Sequence, residues 1–284
     1  MNYRHIFHAG NFADVVKHAM LLQLLASLRL YGEPLDVVDT HAGAGTYRLD
    51  APETTRSAEA KAGILRLLEA SDAPAAFDRL TAAVQAFNPR RTAPWRYPGS
   101  PLLILNALRL GDRYIGCELR SDDHAALASE LAAVAKSAQV VGEARLMDGF
   151  SVLTTALQPR RRTLVLIDPS YEQGDDAERI GSSLAQARRL CPALTALVWA
   201  PIKDLAGYDA LLSRLEQLGF EAVLSAQLRL RPLSDPLRLN GCVLVLLGAV
   251  REIRAMHADA QAIFTWAAAR LGEPGARSVV EASA

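Results

Sequence analysis

The sequence predicts an α/β protein with a mostly parallel sheet that ends in an antiparallel hairpin and carries a small helical insertion. Short apolar runs bounded by turn residues alternate with longer segments of helical periodicity, which is typical of a parallel sheet covered on both faces. Near the end of the chain, the apolar runs 221–230 and 241–250 are separated by too few residues for a crossover helix. We therefore expect those two strands to be antiparallel.

The bulk composition is that of a globular protein with one large domain. The chain has 284 residues, of which 50% are apolar and 22% charged, and its formal net charge is zero. A nucleic acid partner would therefore have to be bound by local basic patches. Cys117, Cys191 and Cys242 stand far apart in apolar surroundings, which favours buried thiols over disulfides or a metal site. No apolar run has the length of a membrane span or of a signal peptide, so we expect a cytoplasmic protein without membrane contact.

The elements are predicted in the following order. Apolar residues at helical spacing from Val15 to Leu30 indicate an opening helix, with Asn11 as its N-cap and Gly32 just past its end. Residues 35–40 indicate a short buried strand that breaks into a glycine-rich turn. Four further strands are expected before the hairpin, at residues 113–119, 144–148, 163–169 and 194–201.

The segment between the first two strands is longer than a crossover requires. Asp39 and Glu118 should end neighbouring strands, and a parallel crossover takes about a dozen or more residues. We expect a small helical subdomain at residues 52–98, with residues 1–51 and 99–284 forming the main domain.

The first predicted strand leads into a turn suited to a cofactor. Asp39 is followed by His41, Gly43 and Gly45, and such glycines allow a ligand to approach the backbone closely. Ligands of open α/β sheets bind beyond the carboxyl ends of the strands. Glycine turns also occur in purely structural contexts, so this motif alone is weak evidence.

The next two strands end in acidic residues as well. Glu118 could accept hydrogen bonds from two ribose hydroxyls, and the Asp148–Gly149 turn could receive an adenine amino group beside space for its ring. Each residue also fits an ordinary solvated carboxylate or a common turn. Their coincidence at one sheet edge is what predicts a cofactor site.

The fourth strand runs into Asp168, Pro169, Ser170 and Tyr171. An exocyclic amine of adenine is a poor nucleophile, and Asp168 with the carbonyl of Pro169 could hold it by hydrogen bonds. Proline fixes its own φ angle and has no N–H group, which keeps that carbonyl aimed. Tyr171 could supply a face on which the base stacks. The alternative is a strand that stops at an Asp-Pro turn with Tyr171 as a packing residue.

Five stretches of the chain carry a resemblance to a known family. They are YRHIFHAGNFADVVKHA (3–19), LDVVDTHAGAG (35–45), YPGSP (97–101), DGF (148–150) and LIDPSYE (166–172). Together they resemble the bacterial RlmJ family, which methylates N6 of an adenine in 23S ribosomal RNA. The outline of the sheet is likewise similar to class I S-adenosylmethionine-dependent methyltransferases, although topology alone assigns no function.

The resemblance implies S-adenosylmethionine as cofactor and 23S ribosomal RNA as partner, with no obligatory protein partner and no metal. The residues that would surround the cofactor are His18, His41, Ser100, Glu118, Asp148, Gly149 and Asp168. Asp168, Pro169 and Tyr171 would be catalytic. Tyr3, His5 and Lys17 would belong to an N-terminal element that closes over the site and meets the RNA. One departure is Ser170, where the family has a second proline, and we expect slower chemistry from the looser turn.

Several positively charged residues have both a functional and a structural interpretation. Lys17 could bind substrate or could be a helix side chain with an exposed amine. The run 160–162 should lie at the amino edge of the sheet as a solvated cluster. In the insertion, Trp95 could pin a loop or grip unpaired RNA together with Arg90, Arg91, Arg96 and Tyr97. The preferred phosphate contacts are Arg229, Arg231 and Arg238.

Three other functions compete with the rRNA methyltransferase. A DNA adenine-N6 methyltransferase would use the same chemistry at the fourth strand. A catalytically weak RNA-binding module is suggested by Ser170. A nicotinamide oxidoreductase is disfavoured, because the turn at residues 41–45 lacks the third glycine of the dinucleotide-binding fingerprint.

Overall fold

The computed structural model describes residues 5–89, 95–138, 140–172, 174–202, 205–233 and 238–283. The strands in chain order are β1 (Leu35–Asp39), β2 (Thr46–Arg48), β3 (Arg96–Pro98), β4 (Arg113–Glu118), β5 (Val141–Leu146), β6 (Arg162–Ile167), β7 (Leu194–Ile202), β8 (Ala222–Arg229), β9 (Gly241–Gly248) and β10 (Arg277–Ser283). The α-helices are α1 (Phe12–Leu28), α2 (Pro52–Ser57), α3 (Glu59–Ala62), α4 (Ile64–Glu69), α5 (Asp78–Ala86), α6 (Ser100–Ala107), α7 (Ser121–Ala138), α8 (Gly149–Thr155), α9 (Asp176–Leu190), α10 (Leu205–Glu216) and α11 (Val250–Leu271).

Eight of the strands form one mixed sheet in the order β10-β8-β9-β7-β6-β1-β4-β5. β1, β4, β5, β6 and β7 pair in parallel, whereas β9 is antiparallel to both β7 and β8. The predicted α/β class and the antiparallel hairpin are therefore confirmed. The last helix and the edge strand that follows it, α11 and β10, were not among the predicted elements, and β10 pairs antiparallel with β8.

Helices cover both faces of this sheet. One apolar cluster joins the sheet to α1, α5, α6, α7 and α11, and a second joins it to α8, α9 and α10. The opening helix begins as predicted, because the side chain of Asn11 accepts a hydrogen bond from Asp14 N at 3.0 Å. It ends earlier than predicted, at Leu28, and a 3-10 turn (Arg29–Tyr31) leads to Gly32, which adopts a φ of 73°. No helix within the described residues is long and apolar enough to cross a bilayer.

The segment 52–98 contains four short helices and ends in a strand. Leu80 and Val84 of α5 belong to the same apolar cluster as α1, and the ring of Phe77 contacts Trp266 of α11 at a centroid distance of 5.0 Å. β3, at the end of the segment, pairs with β2, which comes just before the segment in the chain, so the two ends of the segment meet. The described part of the segment thus packs onto the common core, and the limits of a separate subdomain stay a prediction.

The expected solvated cluster at 160–162 is wrong for two of its three arginines. Arg161 donates to Asp36 at 2.6 Å. Arg162 is buried, stacks over the ring of Tyr31 at 4.2 Å and forms an ion pair with Glu252 of α11. Because Glu252 lies far away in sequence, nothing local distinguishes these arginines from exposed ones.

One prediction concerns the junction between the N-terminal segment and the insertion. Ile64 N donates to Gly10 O at 2.8 Å, and a Cβ added at Gly63 would lie 2.2 Å from that same oxygen. Gly63→Ala should therefore force the two segments apart and lower the free energy of unfolding by about 1–3 kcal/mol. Urea denaturation measures the change. Gly174→Ala is the matched control, since a Cβ there meets nothing within 4 Å; equal stability of the two variants would contradict the steric account.

A second prediction concerns the buried end of β1. Asp39 is fully buried and accepts hydrogen bonds from the hydroxyls of Ser100 at 2.7 Å and Tyr114 at 3.3 Å. Burial raises the pKa of Asp39 from 3.8 to about 6, and the nearby Asp168 carboxylate adds to that rise. Between those two values the folded state binds more protons than the unfolded state, so this group stabilises the protein at low pH and loses that contribution as pH rises through about 6.

Asp39→Asn removes this titration and keeps an oxygen that can accept hydrogen bonds. Relative to wild type, the variant should become progressively more stable as the pH increases from 5 to 7. Thermal unfolding at several pH values measures the difference. Asp50→Asn, at a side chain that is 47% exposed, is the control and should keep a constant difference over the same range. A constant difference for Asp39→Asn as well would show that this carboxyl group is ionised throughout.

Candidate active site

Four acidic residues meet at one edge of the sheet. β6, β1, β4 and β5 are consecutive neighbours, and at their carboxyl ends stand Asp168, Asp39, Glu118 and Asp148. The parallel pairing aligns these ends, with Asp39 in register with both Leu166 and Gly116. The convergence expected from the sequence is therefore present, whereas the roles assigned to the individual side chains stay predictions.

A cleft opens above this edge, and its empty space, including the open mouth, is about 820 Å³. The predicted cofactor residues that line it are His18, His41, Ser100, Glu118, Gly149 and Asp168. His5, Lys17 and Pro169 also line it, whereas Asp148 and Tyr171 are not among its lining residues. Tyr3 lies outside the described residues.

Glycines allow the backbone loops of the cleft to approach one another. A Cβ added at Gly149 would lie 1.9 Å from the carbonyl oxygen of Thr40, so the loops after β1 and β5 touch. Gly43 has a φ of 65°, and its N–H donates to Glu118 Oε2 at 3.0 Å. The other Glu118 oxygen accepts from Arg120 N at 2.8 Å. Backbone donors thus fix this carboxylate at the rim, where burial raises its pKa.

Lys17 does not expose its amine, contrary to its structural interpretation. The residue is 4% exposed, and its Nζ donates to the Asp168 carboxylate and lies 3.0 Å from Asp14 Oδ1. Asp14 also accepts from Gly10 N at 2.9 Å and contacts His5 Nε2 at 3.1 Å. Asp14 was not among the predicted site residues, although an acidic residue three positions before a lysine within an apolar helix is a signal for such a pair.

Mutual attraction keeps this cluster charged. Burial alone would lower the pKa of Lys17, but the carboxylates of Asp14 and Asp168 raise it well above its usual value. Burial would likewise raise the pKa of Asp14, yet Lys17 and the neighbouring histidines hold it well below the usual range. Lys17 and Asp14 are therefore both charged at physiological pH.

His18 and His41, which both line the cleft, are neutral at physiological pH. Burial lowers the pKa of His18 to about 3, and its Nδ1 lies 2.7 Å from the hydroxyl of Tyr97. Desolvation lowers the pKa of His41 to about 4, against the opposing influence of Asp168 and Asp148. Neither ring adds positive charge, so the acidic residues dominate the field of the cleft.

The Asp168 turn has an anchored aromatic ring. Tyr171 adopts a left-handed φ of 52°, which is rare for a residue with a side chain. Its hydroxyl donates to the carbonyl of Trp199 at 2.8 Å, and the two rings meet edge to face at 6.0 Å. In Asp168 itself, Lys17 occupies Oδ2, and no described residue donates to Oδ1. One carboxylate oxygen therefore remains available to a ligand.

Two residues predicted to bind a ligand, Asp148 and Trp95, contact other side chains of the protein. Asp148 caps α8 and accepts from Arg179 at 2.9 Å and Ser151 at 3.1 Å. Trp95 lies between the guanidinium groups of Arg48 at 5.8 Å and Arg96 at 5.6 Å. Its predicted partners Arg90 and Arg91 fall outside the described residues, whereas Tyr97 is fully buried against His18 rather than open to RNA.

Known proteins resemble this chain over most of its length. Residues 32–282 match the family model described as "Ribosomal RNA large subunit methyltransferase D, RlmJ". Ribosomal RNA large subunit methyltransferase J of Escherichia coli is 36% identical over 83% of this chain and 82% of its own. The protein of that name from Haemophilus influenzae is 32% identical over 87% of this chain and 86% of its own.

The fold is also that of a solved structure. A crystal structure of a Legionella pneumophila protein superimposes with a TM-score of 0.85 at 26% identity, covering 98% of this chain and 99% of the other. The agreement of the family model with both relatives confirms the resemblance that the sequence motifs indicated. The chain therefore belongs to the RlmJ family of ribosomal RNA large subunit methyltransferases.

Proposed function

We propose that the protein transfers the methyl group of S-adenosylmethionine to the N6 atom of a specific adenine in 23S ribosomal RNA. The observation that carries the proposal is the Asp168–Pro169 turn at the carboxyl end of β6, which opens a free carboxylate oxygen into the cleft. Family membership supports ribosomal RNA as the substrate. The reaction then takes place in the cytoplasm, and no protein partner is needed for it.

The cleft fits the proposed cofactor in shape and charge. S-adenosylmethionine supplies a methyl group activated by a sulfonium cation. Glu118 is held at the rim by backbone donors and can accept hydrogen bonds from ribose hydroxyls. Gly43 and Gly149 allow backbone loops to come close. The excess of carboxylates, together with neutral His18 and His41, favours a cation in the cleft.

Asp168 and Pro169 act on the adenine amine. Asp168 Oδ1 and the Pro169 carbonyl accept hydrogen bonds from N6 and orient its lone pair towards the methyl group. Positive charge develops on N6 during attack, so the carboxylate stabilises the transition state more than the neutral amine. Lys17 holds the second oxygen of Asp168 and thereby fixes the orientation of the carboxylate.

An adenine stacked inside a duplex cannot enter this cleft. Turning a base out of a helix costs a few kcal/mol, and the cost is smallest where the base is already unpaired. The expected substrate is therefore a loop, a bulge or a strand that is open before the ribosomal RNA is fully folded.

Asp168→Asn should reduce methyl transfer by roughly 10²- to 10³-fold, as is typical when one preorganised electrostatic group is lost from an active site. The measurement is incorporation of labelled methyl into unmodified 23S ribosomal RNA, with mass spectrometric mapping of N6-methyladenosine. Affinity for S-adenosylhomocysteine, measured by calorimetry, should weaken only moderately. Asp50→Asn is the matched control. Full activity of Asp168→Asn would refute the mechanism, and labelling of DNA in place of ribosomal RNA by the wild type would refute the substrate.

The roles of the ring and of the hydroxyl of Tyr171 can be tested separately by two substitutions. The hydroxyl fixes a left-handed residue two positions after Pro169, so Tyr171→Phe should loosen the turn and lower kcat. If the ring also stacks on the base, as the sequence predicts, Tyr171→Ala should additionally raise KM for RNA. Steady-state kinetics of the two variants give both values. Wild-type kcat in Tyr171→Phe would show that the contact with Trp199 does not position the turn.

A further inference from the structure

Two arginines stand directly opposite each other at the hairpin side of the sheet. Arg229 is the last residue of β8, Arg277 is the first residue of β10, and the two are register partners in the antiparallel pair. Like charges placed directly opposite on neighbouring strands destabilise a sheet. Burial lowers the pKa of Arg229, and electrostatic repulsion from the nearby Arg277 lowers it further.

Neither arginine forms an ion pair within the described part of the chain, although the carboxylate of Asp209 is near enough to oppose the lowering of the Arg229 pKa. Arg229 donates from Nε to Gln227 Oε1 at 2.9 Å, an uncharged partner, and Arg277 is exposed. No described carboxylate forms an ion pair with either of them. Arg231 differs, because its Nε lies 3.0 Å from Glu273 Oε1. Two unpaired guanidinium groups therefore share one surface position.

The pair lies at the same edge of the sheet as the cleft, the edge formed by the carboxyl ends of the parallel strands. β8 runs parallel to β7 and β6, so Arg229 and Asp168 are both at carboxyl ends. Gly241 of β9 is the register partner of both Arg229 of β8 and Ile202 of β7. Ile202 lies four residues after the β7 residue that pairs with Ile167, the last residue of β6. At about 3.3 Å per residue and about 4.8 Å per strand, Arg229 stands ~13 Å beyond the Ile167 end of β6 and ~14 Å to its side, and Arg277 on β10 stands one strand further out, at ~19 Å. The pair is therefore beside the cleft at the same edge of the sheet.

The surroundings fix the pair in place. Leu230 N donates to Asn240 O at 2.9 Å, and Glu273 N donates to Leu230 O at 2.8 Å. These bonds join the end of β8 to the start of β9 and to the segment that precedes β10. The two arginines are thus presented by backbone that is already ordered, so binding of an anion between them requires ordering only of their side chains.

We propose that Arg229 and Arg277 bind a backbone phosphate of the RNA a few nucleotides away from the target adenine. A phosphodiester between them would relieve their repulsion and accept charge-assisted hydrogen bonds from both planar forks. Such a contact positions the strand without reading its sequence. The inference rests on the proposed function, because it takes the RNA substrate from it.

The test measures RNA binding directly. Fluorescence anisotropy with an unmodified 23S ribosomal RNA fragment, in the presence of S-adenosylhomocysteine, gives Kd at several salt concentrations. Arg277→Ala should weaken binding by about tenfold at low salt and reduce the slope of log K against log salt by about one. Arg277→Glu should weaken it more. The matched control is Arg160→Ala, which removes an exposed charge at the opposite edge of the sheet and should leave Kd nearly unchanged.

The possible outcomes are distinct. Wild-type affinity and slope in both Arg277 variants would overturn the inference. A change of oligomeric state in Arg277→Glu, seen by light scattering with unchanged RNA affinity, would also overturn it and would make the surface a protein contact. If the wild type binds the RNA through this pair but transfers no methyl group to it, the phosphate contact stands and the proposed function fails.

Discussion

The ion pair between Lys17 and Asp168 ties the opening helix to the turn after β6, and the site depends on it. A charged amine with 4% exposure is stable only when carboxylates surround it, and Asp14 supplies the second one. Because α1 is packed against the sheet by its apolar face, the lysine arrives from a rigid element. The result is a carboxylate with one oxygen fixed and the other open to the cleft.

The insertion contributes to the same arrangement through the N-terminal segment. Glu59 of α3 binds His8 at 3.0 Å and Asn11 at 2.9 Å, and Ile64 N binds Gly10 O. Hydrogen bonding to Glu59 raises the pKa of His8. These contacts hold the residues that lead into α1, so segment 52–98 supports the cleft structurally. The expectation that it also grips RNA rests on Trp95 and its neighbouring arginines, and that expectation stays a prediction.

The sequence predicted the features that local patterns determine. Strand periodicity and acidic strand ends placed Asp168, Glu118 and Asp148 at one edge, and a short connection predicted the antiparallel hairpin. The errors involve partners distant in sequence. Lys17 and Asp168 are 151 residues apart, and Arg162 and Glu252 are 90 apart, so helical or strand periodicity contains no information about either contact. The helix α11 was also missed, although Ile253, Met256 and Ile263 recur at helical spacing on its buried face, so the sequence does contain its signal. β10 gives a weaker signal, because it is an edge strand with no fully buried residue.

The proposed phosphate contact at Arg229 and Arg277 would have a charge requirement opposite to that of the cleft. The carboxylates that favour a sulfonium cation would repel the phosphates of RNA. Exposed charges are screened beyond about 10 Å at moderate salt, and the strand spacing puts Arg229 and Arg277 at about 20 Å from Asp168. A chain with a net charge of zero can therefore bind a cationic methyl donor and a polyanionic RNA at the same time. The condition is that the arginines that bind phosphate lie beyond the screened range of the carboxylates at the cleft. The hairpin that ends the sheet supplies that distance.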